Sequence, residues 1–361
     1  MKMKKVIVSI LTALLISNYS LAQKTVVSIK ENQFYINGEP TYKGRYWNGN
    51  KIEGLLFNSR MVQGVFDDEN PETRVQFVYP DTKKWDPNRN TKEFVKAMED
   101  WYDHGLLSFT LNLQGGSPTG YGNKLWVNTA FDEAGNIKQA YFSRLNKILK
   151  KADKLGMVVI LGYFYFGQDQ FIKDEKAIIN ATDQTTQWLI DKGYKNILIE
   201  VNNESTIHYD HDILKPDRVD ELIVRIKEKD AGNGYHFPTG TSFSGAELPV
   251  ANVVKVSDFL LLHGNDVKEP ELITKMVEDT KQIEGFNNQP ILFNEDDHYE
   301  FEKENNNLVA AVKAYASWGF FDFRRNGESY EEGYQSVPVD WTISSKRKKD
   351  FFNKVKEITG K

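Results

Sequence analysis

Ile197-Leu198-Ile199-Glu200-Val201-Asn202-Asn203-Glu204 is a mostly apolar run that ends on a glutamate, and Ile291-Leu292-Phe293-Asn294-Glu295 repeats the form. Neither stretch alternates apolar with polar residues throughout, as a strand with one wet face would. Each reads as a short strand buried on both faces, which is the habit of parallel sheets covered by helices. Segments of the same kind recur along the chain and take turns with helical ones. Strand-like runs are predicted at Met61–Phe66, Leu106–Leu113, Met157–Phe166, Asn196–Val201, His236–Phe243, Asp258–Leu262, Pro290–Phe293 and Gly319–Phe323. Helical spacing marks Thr91–Asp103, Ala140–Leu155, Lys176–Lys192, Pro216–Lys229, Pro270–Ile283, Glu302–Ser317 and Ser345–Ile358, several of them stopped by a glycine. A helix between Gly245 and Val256 is harder to place. About eight strand-then-helix units predict an α/β chain folded as a single (β/α)8 TIM barrel. The alternative, an open doubly wound sheet, carries a glycine-rich phosphate turn after its first strand; here Asp67-Asp68 follows Met61–Phe66.

Lys2, Lys4 and Lys5, the apolar run Val6–Ile16 and the small residues Ser20-Leu21-Ala22 form the three parts of a secretory signal over 1–22. The expected destination is the periplasm or the exterior. Residues 23–50 are expected to hold a β-hairpin, with Val26–Ile29 and Phe34–Ile36 as strands and Asn37-Gly38 as a turn, and residues 51–361 the barrel.

Composition removes several function classes. The chain has 361 residues, with 46 Lys and Arg against 51 Asp and Glu. Loss of the three signal lysines leaves 43 basic and 51 acidic residues, a charge of −8. An acidic balance does not suit a nucleic-acid partner, which needs a basic face. No later segment is apolar enough to span a bilayer, so no membrane insertion is expected of the mature chain. Cysteine is absent, so no thiol nucleophile, cysteine zinc site or disulfide frame exists. Glycine-rich phosphate loops, His-Glu-x-x-His and Gly-x-Ser-x-Gly are absent as well.

In a barrel of this kind the chemistry sits where strands end. Glu204 and Glu295 end strands four and seven. One such acid could be a helix N-cap or a paired structural carboxylate. Two across one strand-end face match what glycosidic cleavage needs, one carboxyl to give a proton and one to attack or to activate water. The expected substrate-contacting residues are Asn203, His263, Tyr165, Tyr163 and Asn112, all at predicted strand ends. Trp47, Trp126 and Trp341 fall in predicted loops, where they could offer faces for a sugar ring. No cofactor and no metal are expected, and a carbohydrate is the expected partner. The rival signal is His208-Tyr209-Asp210-His211-Asp212, whose alternating side chains could ligate zinc or manganese in a metal-dependent barrel hydrolase. A barrel that binds glycan without cutting it is the non-enzyme alternative.

The sequence Glu200-Val201-Asn202-Asn203-Glu204 resembles the strand-four Asn-Glu signature of the clan A retaining glycoside hydrolases, the group that includes family 5. The resemblance implies that Glu204 is the acid/base, that Asn203 binds the sugar 2-hydroxyl and that Glu295 is the nucleophile. Phe34-Tyr35-Ile36-Asn37-Gly38-Glu39-Pro40 also resembles the lead-in of many clan A barrels. The chain departs from family 5 in three places. Its His-x-Tyr reads His263-Gly264-Asn265, Gly319–Arg324 holds no tryptophan platform, and Leu106–Leu113 lacks the usual strand-two arginine. What the resemblance implies is a secreted, cofactor-free enzyme acting on a plant or algal polysaccharide, or an oligosaccharide from one.

Overall fold

The computed structural model describes residues 24–361 except residue 123. The predicted signal, 1–22, lies outside the described residues. Eight strands carry the architecture: β1 Asn58–Ser59, β2 Ser108–Asn112, β3 Val158–Tyr165, β4 Ile197–Asn203, β5 Thr239–Gly240, β6 Leu260–His263, β7 Ile291–Glu295 and β8 Gly319–Phe320. Each leads to a helix: α1 Pro87–Asp103, α2 Gln139–Leu155, α3 Glu175–Lys192, α4 Val219–Lys227, α5 Ala251–Val256, α6 Pro270–Thr280, α7 Asn307–Lys313 and α8 Lys346–Thr359. The fold is α/β with parallel strands. β2, β3, β4 and β5 pair in that order, β6 pairs with β7, and β8 pairs with β1. One parallel bridge joins β1 to β2 at Arg60 and Thr110, and two join the β7 side to the β8 side, Leu292 to Ser317 and Asp296 to Phe320. Between β5 and β6 the described residues form no ladder, although the Asp258 N–H donates to the Thr239 carbonyl at 3.0 Å. The two chains run close there: a Cβ on Gly240 would meet the Phe259 carbonyl oxygen at 2.6 Å.

Local chemistry sets the element ends. α1 starts at Pro87, which has no N–H to leave unpaired, after Asp86, whose carboxylate accepts from the Asn88 and Arg89 N–H groups. α2, α3 and α8 stop at Gly156, Gly193 and Gly360, whose φ values of 82°, 75° and 77° suit a residue without Cβ. The apolar stripes of these helices pack on the strand residues Val159, Leu161, Ile197 and Ile199.

The structure differs from the sequence reading in its first strand and in several element bounds, among them the strand predicted over His236–Phe243, which is Thr239–Gly240, and the helix predicted over Glu302–Ser317, which is Asn307–Lys313. The first strand is Asn58–Ser59, not Met61–Phe66; the latter run is buried and forms a 3-10 turn over Val62–Val65. The helix predicted to start at Pro216 begins at Val219, and the missing fifth helix is the short α5.

The amino-terminal hairpin, Val27–Lys30 against Gln33–Ile36, gains a third strand, Glu39–Pro40, through the turn Asn37-Gly38. Both turn residues have positive φ, 53° and 82°, as a type I′ turn requires. Val27 and Phe34 pack into a cluster with Leu56, Val158, Ile160, Leu198, Phe259, Leu261 and Leu292. These belong to the beginnings of the parallel strands or the residues just before them, so the hairpin covers the amino ends of the sheet. Burying Phe34 there contributes roughly 1.5–3 kcal/mol. The chain is tied down at that end. Lys24 and Thr25 donate backbone N–H groups to Asp153 near the end of α2, both at 2.8 Å. Arg45 donates to the Ile358 and Glu357 carbonyls at the end of α8. Among the described residues no helix is long and apolar enough to cross a membrane.

Candidate active site

β4 delivers Asn203 and Glu204, and β7 delivers Glu295. Both strands are apolar at their starts, which anchors them in the core and fixes where their polar ends emerge. A carboxylate oxygen of Glu204, one of Glu295 and a ring nitrogen of His263 lie within 4.8 Å of one another. Glu204 leaves the strand with φ of 51°, a left-handed conformation uncommon for a residue with a Cβ. Its N–H donates to Ser242 Oγ at 2.9 Å, and the Ser242 hydroxyl in turn donates to Glu200 Oε1 at 2.6 Å. That clamp, made by the segment after β5, holds the unusual turn.

The two glutamates have different neighbours. Glu295 has its side chain only 7% exposed, and Oε2 lies 2.7 Å from Arg60 Nε. Oε1 accepts from Asn265 Nδ2 at 2.9 Å. Burial holds the Glu295 carboxyl above its ordinary value on balance, and the Arg60 charge is the strongest of the influences that pull it back. Glu204 has no cation in contact. Oε2 accepts a long hydrogen bond from Asn203 Nδ2 at 3.3 Å, and Oε1 faces His263 Nδ1 at 3.1 Å. Burial pushes the Glu204 carboxyl up to about 7. His263 is itself buried, and burial pushes its imidazole down, toward the neutral form. Burial raises both carboxyls, and what tells them apart is the guanidinium in contact with Glu295 alone. That is the arrangement that separates an attacking carboxylate from a proton donor.

Arg60 organises the pair. Besides Glu295 it holds Asn203, whose Oδ1 accepts from Arg60 Nη2 at 2.8 Å. It stands immediately after β1, 1% exposed. The sequence reading missed it by setting the first strand after it; a lone cation inside the apolar segment from Leu55 to Val65 was the available signal. Asn265 and Ser242 were missed too, since their partners are set by tertiary placement. The same holds for Tyr121, whose hydroxyl accepts from Asn265 Nδ2 at 3.2 Å.

The other predicted residues divide. Tyr165 lies beside the pair: Arg60, Glu295 and Glu204 act on its hydroxyl, which burial pushes up and which bonds with Ser117 Oγ at 2.9 Å. Tyr163 does not. It is fully buried on the helix side of β3, the face it shares with Val159 and Leu161, and its hydroxyl lies 3.2 Å from Thr186 of α3. Asn112 is buried against β3, where a Cβ on Gly162 would meet its Oδ1 at 2.3 Å, and among the described residues it bonds to neither glutamate. Trp47, Trp126 and Trp341 are core side chains instead of exposed platforms. Trp341 stacks on Tyr334 and donates to Asn90 Oδ1, and Trp47 donates to Glu357.

The loop His208–Asp212 does not bring its two histidines to one ion. His208 lies on the surface against Asp210, whereas the His211 ring nitrogen is 2.8 Å from the Ile172 carbonyl, so the two rings do not converge on one another's ligands. Glu204, His263 and Glu295 could bracket an ion by distance, as could Asp296, Asp297 and His298. In the first group Arg60 already places a positive charge against Glu295, which opposes a second cation. In the second, the Asp296 carboxylate accepts from Trp318, Asn307 and His298.

No protein-family model matches the sequence, and no curated protein matches it. Solved structures do. A proposed glycoside hydrolase of Bacteroides vulgatus superposes with a TM-score of 0.54 at 12% identity, over 91% of this chain and 60% of that one. A family 5 glycoside hydrolase of the same organism gives 0.52 at 15% identity, over 90% and 68%. An endo-1,4-β-mannanase of Rhizomucor miehei gives 0.55 at 9% identity, over 93% and 99%. The chain therefore spans about three fifths of the first of these and nearly all of the third. At such identities the likeness is one of fold.

Proposed function

We propose that this chain is a glycoside hydrolase that cleaves O-glycosidic bonds of a polysaccharide or oligosaccharide with retention of configuration. The observation that carries the reading is the asymmetry of two neighbouring glutamates, Glu295 paired with Arg60 and Glu204 pushed up to about 7. Glu204 gives its proton to the leaving glycosidic oxygen while the Glu295 carboxylate attacks the anomeric carbon. The C–O bond to the leaving sugar breaks as the bond to Glu295 forms. Glu204, now ionised, takes a proton from water, whose oxygen displaces Glu295. Oxygens of the two carboxyls come within 4.8 Å, which fits the separation of about 5–5.5 Å typical of retaining pairs and leaves little room for a water between them. Asn203, held by Arg60 beside Glu204, is assigned to the sugar 2-hydroxyl, and His263 and Tyr165 to the walls of the same subsite.

The architecture proposed for residues 51–361 is a (β/α)8 barrel. The strand order β6–β7–β8–β1–β2–β3–β4–β5 and the hydrogen bond across β5–β6 support closure. The hairpin of 23–50 belongs with it as a cover for the amino ends of the strands. Residues 1–22 are proposed as a cleaved signal, and the enzyme as periplasmic or secreted. Fold relatives that include a mannanase and a family 5 hydrolase agree with the proposed chemistry.

The test is Glu295→Ala with an activated aryl glycoside. Turnover is expected to vanish, and added azide to restore part of it by occupying the space of the lost carboxylate and trapping a glycosyl azide of opposite configuration. Full activity in that variant sinks the assignment.

A further inference from the structure

Tyr121 lies between two glycines, Gly120 and Gly122, in the segment joining β2 to α2, and it is 53% exposed. Exposed aromatics on loops are ordinarily loose. This one is held on several sides. Its ring meets Phe321 and Phe323, just past β8, edge to face with centroids 5.5 and 5.0 Å away. Gly120 packs so closely that a Cβ there would touch Phe323 Cδ2 at 2.8 Å. The Tyr121 hydroxyl donates to Asp297 Oδ2 at 2.6 Å. It accepts from Asn265 Nδ2 at 3.2 Å, and the same nitrogen donates to Glu295 Oε1 at 2.9 Å.

The directions in this chain are fixed by proton count. An amide nitrogen has two hydrogens, and Asn265 gives one to Glu295 and one to Tyr121. The phenol then has its own hydrogen for Asp297, which accepts as a carboxylate. Every donor is assigned, so the ring of Tyr121 is set relative to the Glu295 carboxylate through two hydrogen bonds.

We propose that Tyr121 is the residue on which the sugar ring beside Glu295 stacks, and that its hydroxyl, acting through Asn265, positions Glu295. The proposal rests on the reading of Glu204 and Glu295 given above. A pyranose offers a face of C–H groups to an aromatic ring, and a ring already immobilised loses little freedom when the sugar arrives. The ligand class is an uncharged pyranose unit, with the neighbouring Asp297 carboxylate available to accept from a sugar hydroxyl and unfavourable to a sulfate or uronate at that point. Tyr121 is here a binding residue by its ring and a positioning residue by its hydroxyl.

Steady-state kinetics on a soluble neutral oligosaccharide separate the two roles. Tyr121→Ala is expected to raise KM roughly tenfold, since a stacking contact is removed. Tyr121→Phe keeps the ring and is expected to keep KM. It lowers kcat several-fold and moves the acidic limb of the kcat/KM profile to higher pH, because Asn265 is no longer pinned to Glu295. Tyr46→Ala, which truncates another exposed tyrosine near the carboxy-terminal helix, serves as the control and should leave both constants alone. If Tyr121→Ala has the wild-type KM, the stacking role is overturned. If Tyr121→Phe has the wild-type acidic limb, the positioning role is overturned, and this variant also remains informative should the alanine form fail to fold. A wild-type enzyme active on glycans with unaltered Tyr121 variants refutes this inference alone. A wild-type protein that cleaves no glycoside, with aryl glycosides included, refutes the parent reading and this inference with it.

Discussion

Replacing Glu204 by glutamine should leave the protein's stability in acid unchanged and raise it in mild base. Glu204 has an ordinary unfolded pKa near 4.5 and a folded one of about 7, and its side chain is 13% exposed. The folded state therefore keeps a proton that the unfolded state has already lost between those values. Stability from that carboxyl is intact below pH 4.5 and is lost as pH rises through 7. At about 1.4 kcal/mol for each tenfold change in proton affinity, the full loss is about 3 kcal/mol. Glutamine never ionises and escapes it. Glutamine also keeps the hydrogen bonds of the protonated acid, with its carbonyl accepting from Asn203 Nδ2 where Oε2 accepted at 3.3 Å and its NH2 turned to the His263 ring nitrogen that lies 3.1 Å from Oε1. The variant is thus expected to match wild type at pH 4.5 and to be about 3 kcal/mol more stable at pH 8.5. For a chain of this length that corresponds to a rise of about 4 °C in Tm. Chemical denaturation across pH 4.5–8.5 measures the divergence directly. A stability difference that stays constant over that range refutes the raised pKa and, with it, the proton-donor role. The same variant should lose turnover of unactivated glycosides at every pH.

Three further outcomes are expected. Arg60→Leu leaves Glu295 buried without its cation, so the protein should lose about 3–5 kcal/mol, and the acidic limb of any residual kcat/KM profile should move to higher pH; an unmoved limb shows that Arg60 does not set the state of Glu295. Phe34→Ala empties the hairpin's anchor in the cluster that covers the strand starts, with an expected loss of about 3–5 kcal/mol in urea denaturation and an unchanged KM. Tyr163→Phe removes a hydroxyl that faces α3, so kcat/KM should stay within about twofold of wild type at a cost of about 1 kcal/mol in stability, and a large drop in activity would return Tyr163 to the site.

The helices and the long strands were legible because burial on one stripe or on two faces leaves a pattern that a sequence shows directly. β3 and β7 are such cases. β1 was not, because its residues Asn58 and Ser59 and the following Arg60 are polar for the sake of the interior they face. A reading that seeks apolar runs slides past them to Met61–Phe66. The two glutamates stood out because a carboxylate closing an apolar strand is uncommon. Their partners did not, since Arg60, Ser242, Asn265 and Tyr121 reach them across 30 to 235 positions of sequence. The aromatics misled for a related reason. Trp126 and Trp341 lie outside helices and strands, yet those segments fold inward and bury the indoles, and the exposed ring belongs to a tyrosine between glycines.

The anchoring of both ends of the described chain has a practical meaning. Lys24 is fastened near the last turn of α2, and Arg45 grips the last turn of α8, two residues before Lys361. Helices that follow parallel strands run back against them, so these last turns lie level with the strand starts, on the side that the hairpin covers. Glu204 and Glu295 open at the opposite pole. A tag or a tether to a bead joined at either end of the described residues attaches behind the molecule and leaves the end with the two glutamates unobstructed.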